Sequence, residues 1–227
     1  MPVTINGDGS ITGLAVGGLP DGSVDADTLV SNAVTSAKLA SGAITSSEMP
    51  SGSILQVANN TLNTTATISI TNQYSNNSSN IYYVTGIDTT VTTTQTNSKL
   101  LISASLSGEF SNRDDLFGFI LSSTIGGTTA PIDTLRAASA GSRPRYTAQP
   151  SISFNSNDND STPLTTQFAN YLYAPSQASG TAITMRLGIA CHPSSSQTFY
   201  VNRCLGTTDN SDFERLISHM TVMEIKA

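Results

Sequence analysis

The chain has 227 residues, of which only 11% are charged, a formal net charge of -6 and no tryptophan; this length suits one medium domain with an appendage. Serine and threonine exceed a quarter of the residues while strong helix formers are scarce, which argues against a helical protein and for an all-β one. The acidic balance offers no positive field to a phosphate backbone, which excludes nucleic acid as a partner.

Residues 1–20 come first. Thr4 to Thr12 carries Asn6-Gly7 and Asp8-Gly9 between β-prone residues, a short-hairpin signature, and 13–20 is glycine-rich. There is no cationic stretch followed by an apolar run, so no secretory signal is expected, and no window approaches a membrane span. The segment is expected either to fray or to anchor the chain by ordering on a larger partner, with Ile5, Ile11 and Leu14 as its apolar contacts.

Residues 21–52 repeat. Asp21-Gly22-Ser23-Val24, Ser31-Asn32-Ala33-Val34, Ser41-Gly42-Ala43-Ile44 and Ser51-Gly52-Ser53-Ile54 recur every ten positions, with a large apolar residue also midway. Val24, Leu29, Val34, Leu39, Ile44, Met49 and Ile54 therefore fall five apart. That period fits neither a helix nor a long strand, and so thin a segment cannot enclose its own apolar stripe. The expectation is a neck in which copies of the chain wind about one axis; a Ser/Gly linker is the alternative, but it would not need the spacing.

From residue 53 the texture is strand, turn, strand. Candidate strands are 53–58, 66–70, 81–87, 99–106, 116–122, 151–154, 167–173, 182–190, 198–203 and 219–225. Alternation such as Phe168-Ala169-Asn170-Tyr171-Leu172-Tyr173 marks half-buried strands, and ten short ones over 53–227 suggest a β-sandwich or jelly-roll knob. Cys191 and Cys204 are too few for a disulfide framework. A hairpin closing at 192–198 would place Arg186 rather than Cys191 opposite Cys204, so two free, buried thiols are expected.

Chemistry-bearing residues are sparse. His192 and His219 lack the partners of a metal site, and the run Asn155 to Ser161 lacks the glycine and distal glutamate of a calcium loop. Glu109, Asp114, Asp115 and Asp133 are available carboxylates, but the sequence places no two of them across a cleft. Neither a catalytic residue nor a cofactor is expected. Arg136, Arg143, Arg145 and Tyr146 cluster in a body poor in charge, and suit an acidic glycan, the arginines forking onto anions and the ring stacking on a sugar. Alternatively, they form intersubunit salt bridges with Asp114, Asp115 or Asp133.

The decad neck, Gly52-Ser53-Ile54-Leu55-Gln56-Val57, Asn97-Ser98-Lys99-Leu100-Leu101-Ile102, Tyr200-Val201-Asn202-Arg203 and Thr221-Val222-Met223-Glu224-Ile225 occur in an order that resembles small fibre proteins of tailed bacteriophages, notably those of cyanobacterial and marine hosts. The resemblance covers residues ~20–227. It implies a non-enzymatic homotrimeric virion protein: anchoring segment 1–20, neck 21–52 and knob 53–227. Its partners would be its own copies, other virion proteins through the N-terminus, and a host-surface glycan or protein. A head-decorating or cement role without receptor binding is the alternative, and the location on tail or head stays open.

Overall fold

Strands whose even and odd side chains differ in polarity bury one face, and two such sheets closing on each other make most of this molecule. In the computed structural model, the residues described are 4–5, 7, 11–12, 24, 29–72, 74, 80–111, 116–149, 163–192, 196–206 and 214–227. The fold is all-β, with antiparallel sheets, one curling towards a half-barrel, compatible with a β-sandwich. The chain divides into two compact units, Met1–Thr45 and Ser46–Ala227.

In the first unit, β1 (Thr4–Ile5) pairs antiparallel with β2 (Ile11–Thr12), Thr4 opposite Thr12 and Ile5 opposite Ile11, which is the hairpin that Asn-Gly and Asp-Gly imply. Leu14 lies outside the described residues. The first unit also holds a one-turn 3-10 helix, Ser36–Lys38.

The second unit contains eleven described strands: β3 (Ile54–Leu62), β4 (Ala66–Ile70), β5 (Tyr82–Tyr83), β6 (Thr89–Thr92), β7 (Lys99–Phe110), β8 (Leu116–Ile125), β9 (Thr128–Pro131), β10 (Leu164–Tyr173), β11 (Ala182–His192), β12 (Gln197–Val201) and β13 (Ser218–Ile225). One sheet runs β3-β13-β7-β12-β4, with β10 on the other edge of β7. The second runs β5-β11-β8-β9, with β6 also on β11. Alternate residues of β7 (Leu100, Ile102, Ala104, Leu106) face alternate residues of β11 (Ile183, Met185, Leu187, Ile189, Cys191) in one buried core, joined by Phe110, Phe117, Phe119, Phe168 and Phe199. Phe110 stacks on Phe117 at 3.9 Å between centroids and tilts on Phe199 at 4.7 Å, so aromatic rings gather in one part of the core.

Two expected features change. Residues 81–87 were expected as one strand, but only Tyr82–Tyr83 pairs, and Thr85–Ile87 coils into a 3-10 turn. Gly86 lies under the Leu62 side chain there, where an added Cβ would come within 2.5 Å of a methyl. Neither cysteine is in a disulfide and both are buried, as expected, but by another geometry: β11 and β12 belong to different sheets and form no hairpin with each other. The expected strand 151–154 lies outside the described residues.

Candidate functional site

The five-residue series is a run of turns. The carbonyls of Val30, Thr35, Ala40 and Pro50 accept the N–H groups of Ala33, Lys38, Ala43 and Ser53 at 2.9–3.2 Å, and a further turn lies at 46–48, so turns recur at five-residue intervals. Asn32, Gly42 and Gly52, ten residues apart, have φ of 64°, 78° and 86°. A positive φ at the third residue is the requirement of a type II turn, which asparagine and glycine meet. The intervening turn at Ser36–Lys38 is 3-10 and needs no such residue. Alternating turn types thus explain why the sequence repeats every ten while its apolar residues repeat every five.

Val24, Leu29, Val34, Leu39 and Ile44 are 44–57% exposed. In the larger unit the series ends with Met49, half-buried, and Ile54, exposed. Within one chain these large apolar side chains remain exposed, and water around each costs about 1 kcal/mol relative to full burial.

Residues 46–53 are fastened to the end of β13. Lys226 Nζ donates to the carbonyls of Ser47 (2.8 Å) and Met49 (2.6 Å), and its backbone exchanges bonds with Gly52 and Ser53, each 2.9 Å. Beside it, Glu224 is fully buried and accepts from Gln56 Nε2 (2.5 Å), Thr94 N (2.8 Å), Thr94 Oγ1 (3.0 Å) and Gln95 N (3.3 Å). Burial raises its carboxyl pKa, but Gln56, Ser98 and Thr94 outweigh that and hold it below the ordinary glutamate value. Sequence reading singled out this strand but not the role of its acid. The signal was the parity of Val222 and Glu224, which puts a charge at an inward position.

The arginine cluster lies on the segment following β9, beginning with a 3-10 turn at Asp133–Leu135. Ile132 N–H bonds Leu121 O, and the N–H groups of Phe119 and Thr147 bond the carbonyls of Ala148 and Phe119, so the segment lies against β8. Arg136, its side chain 5% exposed, pairs with Asp133 and donates through Nη1 to Tyr74 Oη at 2.9 Å. Arg145 donates through Nε to Ala137 O at 2.6 Å and reaches Asp133 at 3.3 Å. The two arginines, Arg136 foremost, hold the Asp133 carboxyl below its usual range. Tyr146 stacks on Tyr74 at 5.7 Å between centroids and sits over Gly118, where a Cβ would meet its ring at 2.3 Å. Its hydroxyl is buried with no partner among the described residues, and burial pushes its pKa well above the usual tyrosine value.

Three of the four residues assigned to glycan recognition are therefore engaged within one chain, and the ring suited to stack on a sugar covers a strand instead. Arg143 is exposed. The alternative of salt bridges finds Asp133, as a partner inside the same subunit; Asp114, Asp115 and the run 155–161 lie outside the described residues.

Sequence reading missed a second guanidinium site. Arg186 lies 4.3 Å over the Tyr83 ring and contacts Asp88 Oδ2 at 2.9 and 3.0 Å. Burial raises the Asp88 pKa against the opposing pull of Arg186. Of the other candidates, His219 Nδ1 lies 2.8 Å from Ser105 Oγ, and Glu109 accepts Leu205 N–H at 2.7 Å. Burial raises the pKa of the Cys204 thiol, the opposite of what a nucleophile needs. Among the described residues no three His, Cys, Asp or Glu side chains gather as a metal site, and no helix is long and apolar enough to cross a membrane.

Compared with known proteins, the chain matches no family model and no curated protein.

Proposed function

We propose that this chain is a non-enzymatic structural subunit of a bacteriophage fibre, working as a homotrimer without a cofactor. Copies wind together through Val24, Leu29, Val34, Leu39, Ile44, Met49 and Ile54, residues 1–20 attach the trimer to other virion proteins, and the β-sandwich forms a knob facing the host surface. The observation carrying this reading is the exposed apolar residue every fifth position on a run of hydrogen-bonded turns. Such a stripe is stable in water only when covered, and copies of an identical repeat cover one another layer by layer. Sedimentation of the purified full chain tests it: a trimer at micromolar concentration is expected, and a stable monomer overturns the reading.

A purely architectural role, as a head fibre or cement protein, is the second reading. It is favoured by the engagement of Arg136, Arg145 and Tyr146 within the subunit, which leaves Arg143 as the exposed member of the supposed recognition cluster. Electron microscopy of labelled particles separates the two: tail placement with loss of adsorption on deletion supports recognition, and head placement with normal adsorption supports architecture.

A further inference from the structure

The face of the first sheet that points away from the core is not uniformly polar. Strand register aligns Val57 of β3 with Met223 of β13, Met223 with Leu101 of β7, and Leu101 with Leu172 of β10. These four apolar side chains form one row across four strands, ~14 Å long at the usual strand spacing. Val57 and Leu172 are 57% and 50% exposed, and Leu101 and Met223 are half-buried between them. Beside the row, Ile225 pairs with Ile54, itself exposed, and with Lys99. In the other direction the sheet turns polar: Asn59, Thr221 and Ser103 align next, then Thr61, His219, Ser105 and Gln167. The opposite faces of the same strands carry Ala58, Val222, Ile102 and Phe168 into the core, so the row is not part of it.

We infer that this row is the contact surface between knobs of neighbouring copies within the same oligomer. The inference rests on the homotrimer reading above and assigns the part of the knob that takes part. Its basis is continuity. Ile54 is at once the last member of the five-residue series and the first residue of β3, three positions before Val57. Met49, the preceding member, is held through its carbonyl by Lys226, the residue after Ile225. Copies that meet at Met49 and Ile54 therefore meet beside the apolar end of this sheet, not its polar end. Area points the same way. The six half-exposed side chains of the series and the half-buried Met49 offer on the order of 400 Å² of apolar surface, short of the ~800 Å² each partner of a stable complex usually contributes. Within the larger unit, the row adds to the apolar surface that Met49 and Ile54 offer.

The test uses the full chain carrying Val57→Glu with Leu172→Glu, both at positions open enough for the monomer fold to accept a carboxylate. The expected result is unchanged far-ultraviolet circular dichroism with the trimer's dissociation constant raised roughly tenfold or more. The control, Thr61→Glu with Gln167→Glu on the polar end of the same sheet, should leave the constant unchanged. As a second measurement, Val57→Cys should be protected from a maleimide reagent in the wild-type background, whereas Thr61→Cys should react; Cys191 and Cys204, both buried, give little background. A wild-type monomer would sink the homotrimer reading itself. A wild-type trimer indifferent to the Val57 and Leu172 changes, or equally loosened by the control, or with Val57→Cys fully reactive, would leave that reading standing and overturn this one.

Discussion

Asn202 holds three strands at one corner. It is fully buried, with φ of 59°, and its Nδ2 donates to the carbonyls of Leu62 (2.8 Å) and Thr64 (2.9 Å), where β3 turns towards β4. Its Oδ1 accepts from Ser218 Oγ at 2.6 Å, and its N–H bonds Ser107 O at 2.9 Å. Asn202→Ala removes the amide donor to two carbonyls and the acceptor of the Ser218 hydroxyl, which keeps only the N–H of Ser107, and places an alanine in the left-handed region, so a loss of about 3 kcal/mol in urea unfolding is expected. Asn202→Gly relieves the backbone but not the orphaned groups, so it should recover only a minor part; full recovery would show that φ, not hydrogen bonding, is what this residue supplies. Glu224 gives a pH dependence. Because its folded pKa is depressed, its contribution is present above the ordinary glutamate value of 4.5 and is lost as pH falls through the lower folded value. Glu224→Gln should therefore lower the thermal midpoint at pH 7 and flatten its fall below pH ~4.5, an outcome checked by melting curves at stepped pH. An acid limb as steep as wild type would assign the effect to other carboxylates.

The turns make the sharpest demand on residue type. Gly52 has φ of 86° and open space around its Cα, so a larger residue meets strain but no clash. Gly52→Val should cost roughly 1–2 kcal/mol of stability in the larger unit, whereas Gly52→Asn should cost far less, because asparagine tolerates this conformation as Asn32 does. Equal losses in urea titrations would rule out the type II assignment. These turns were legible in part: the decad and its apolar spacing stand in the sequence, but the alternation of turn types became readable only from backbone angles. Strands with large alternating side chains, such as β10 and β11, were legible for the same reason that they pair: one face is buried. β6 (Thr89–Thr92) and β9 (Thr128–Pro131) were not, since each is four residues long and neither alternates large apolar side chains. β9 follows Gly126-Gly127, both at positive φ, a hairpin signal that was present and passed over. The arginine cluster was legible as a cluster but not as to its partners. Asp133 lies three residues from Arg136, yet only the packing of residues 132–148 on β8 brings Arg145 to the same carboxylate.

Attachment and assembly should separate. Among the described residues, β1 and β2 pair at Thr4 with Thr12 and at Ile5 with Ile11. A two-stranded hairpin alone is marginal in water, and docking on a larger surface would stabilise it, which is the role proposed for this segment. The five-residue series, by contrast, carries its own turn hydrogen bonds from Val30 onwards and its own apolar stripe. Removing residues 1–20 should therefore leave the sedimentation mass of the oligomer and its melting temperature unchanged, while the protein fails to join particles in a complementation assay. Val34→Asp with Leu39→Asp should do the reverse at the level of assembly. Each buried carboxylate would need desolvation in every copy, so the trimer should dissociate at micromolar concentration although the β-sandwich, whose core lies on strands from residue 54 onwards, keeps its own melting transition. If the truncated chain instead enters particles normally, the anchor must be sought elsewhere in the chain. If the double aspartate variant stays trimeric, the stripe is not what joins the copies, and the apolar row on the sheet would have to suffice alone.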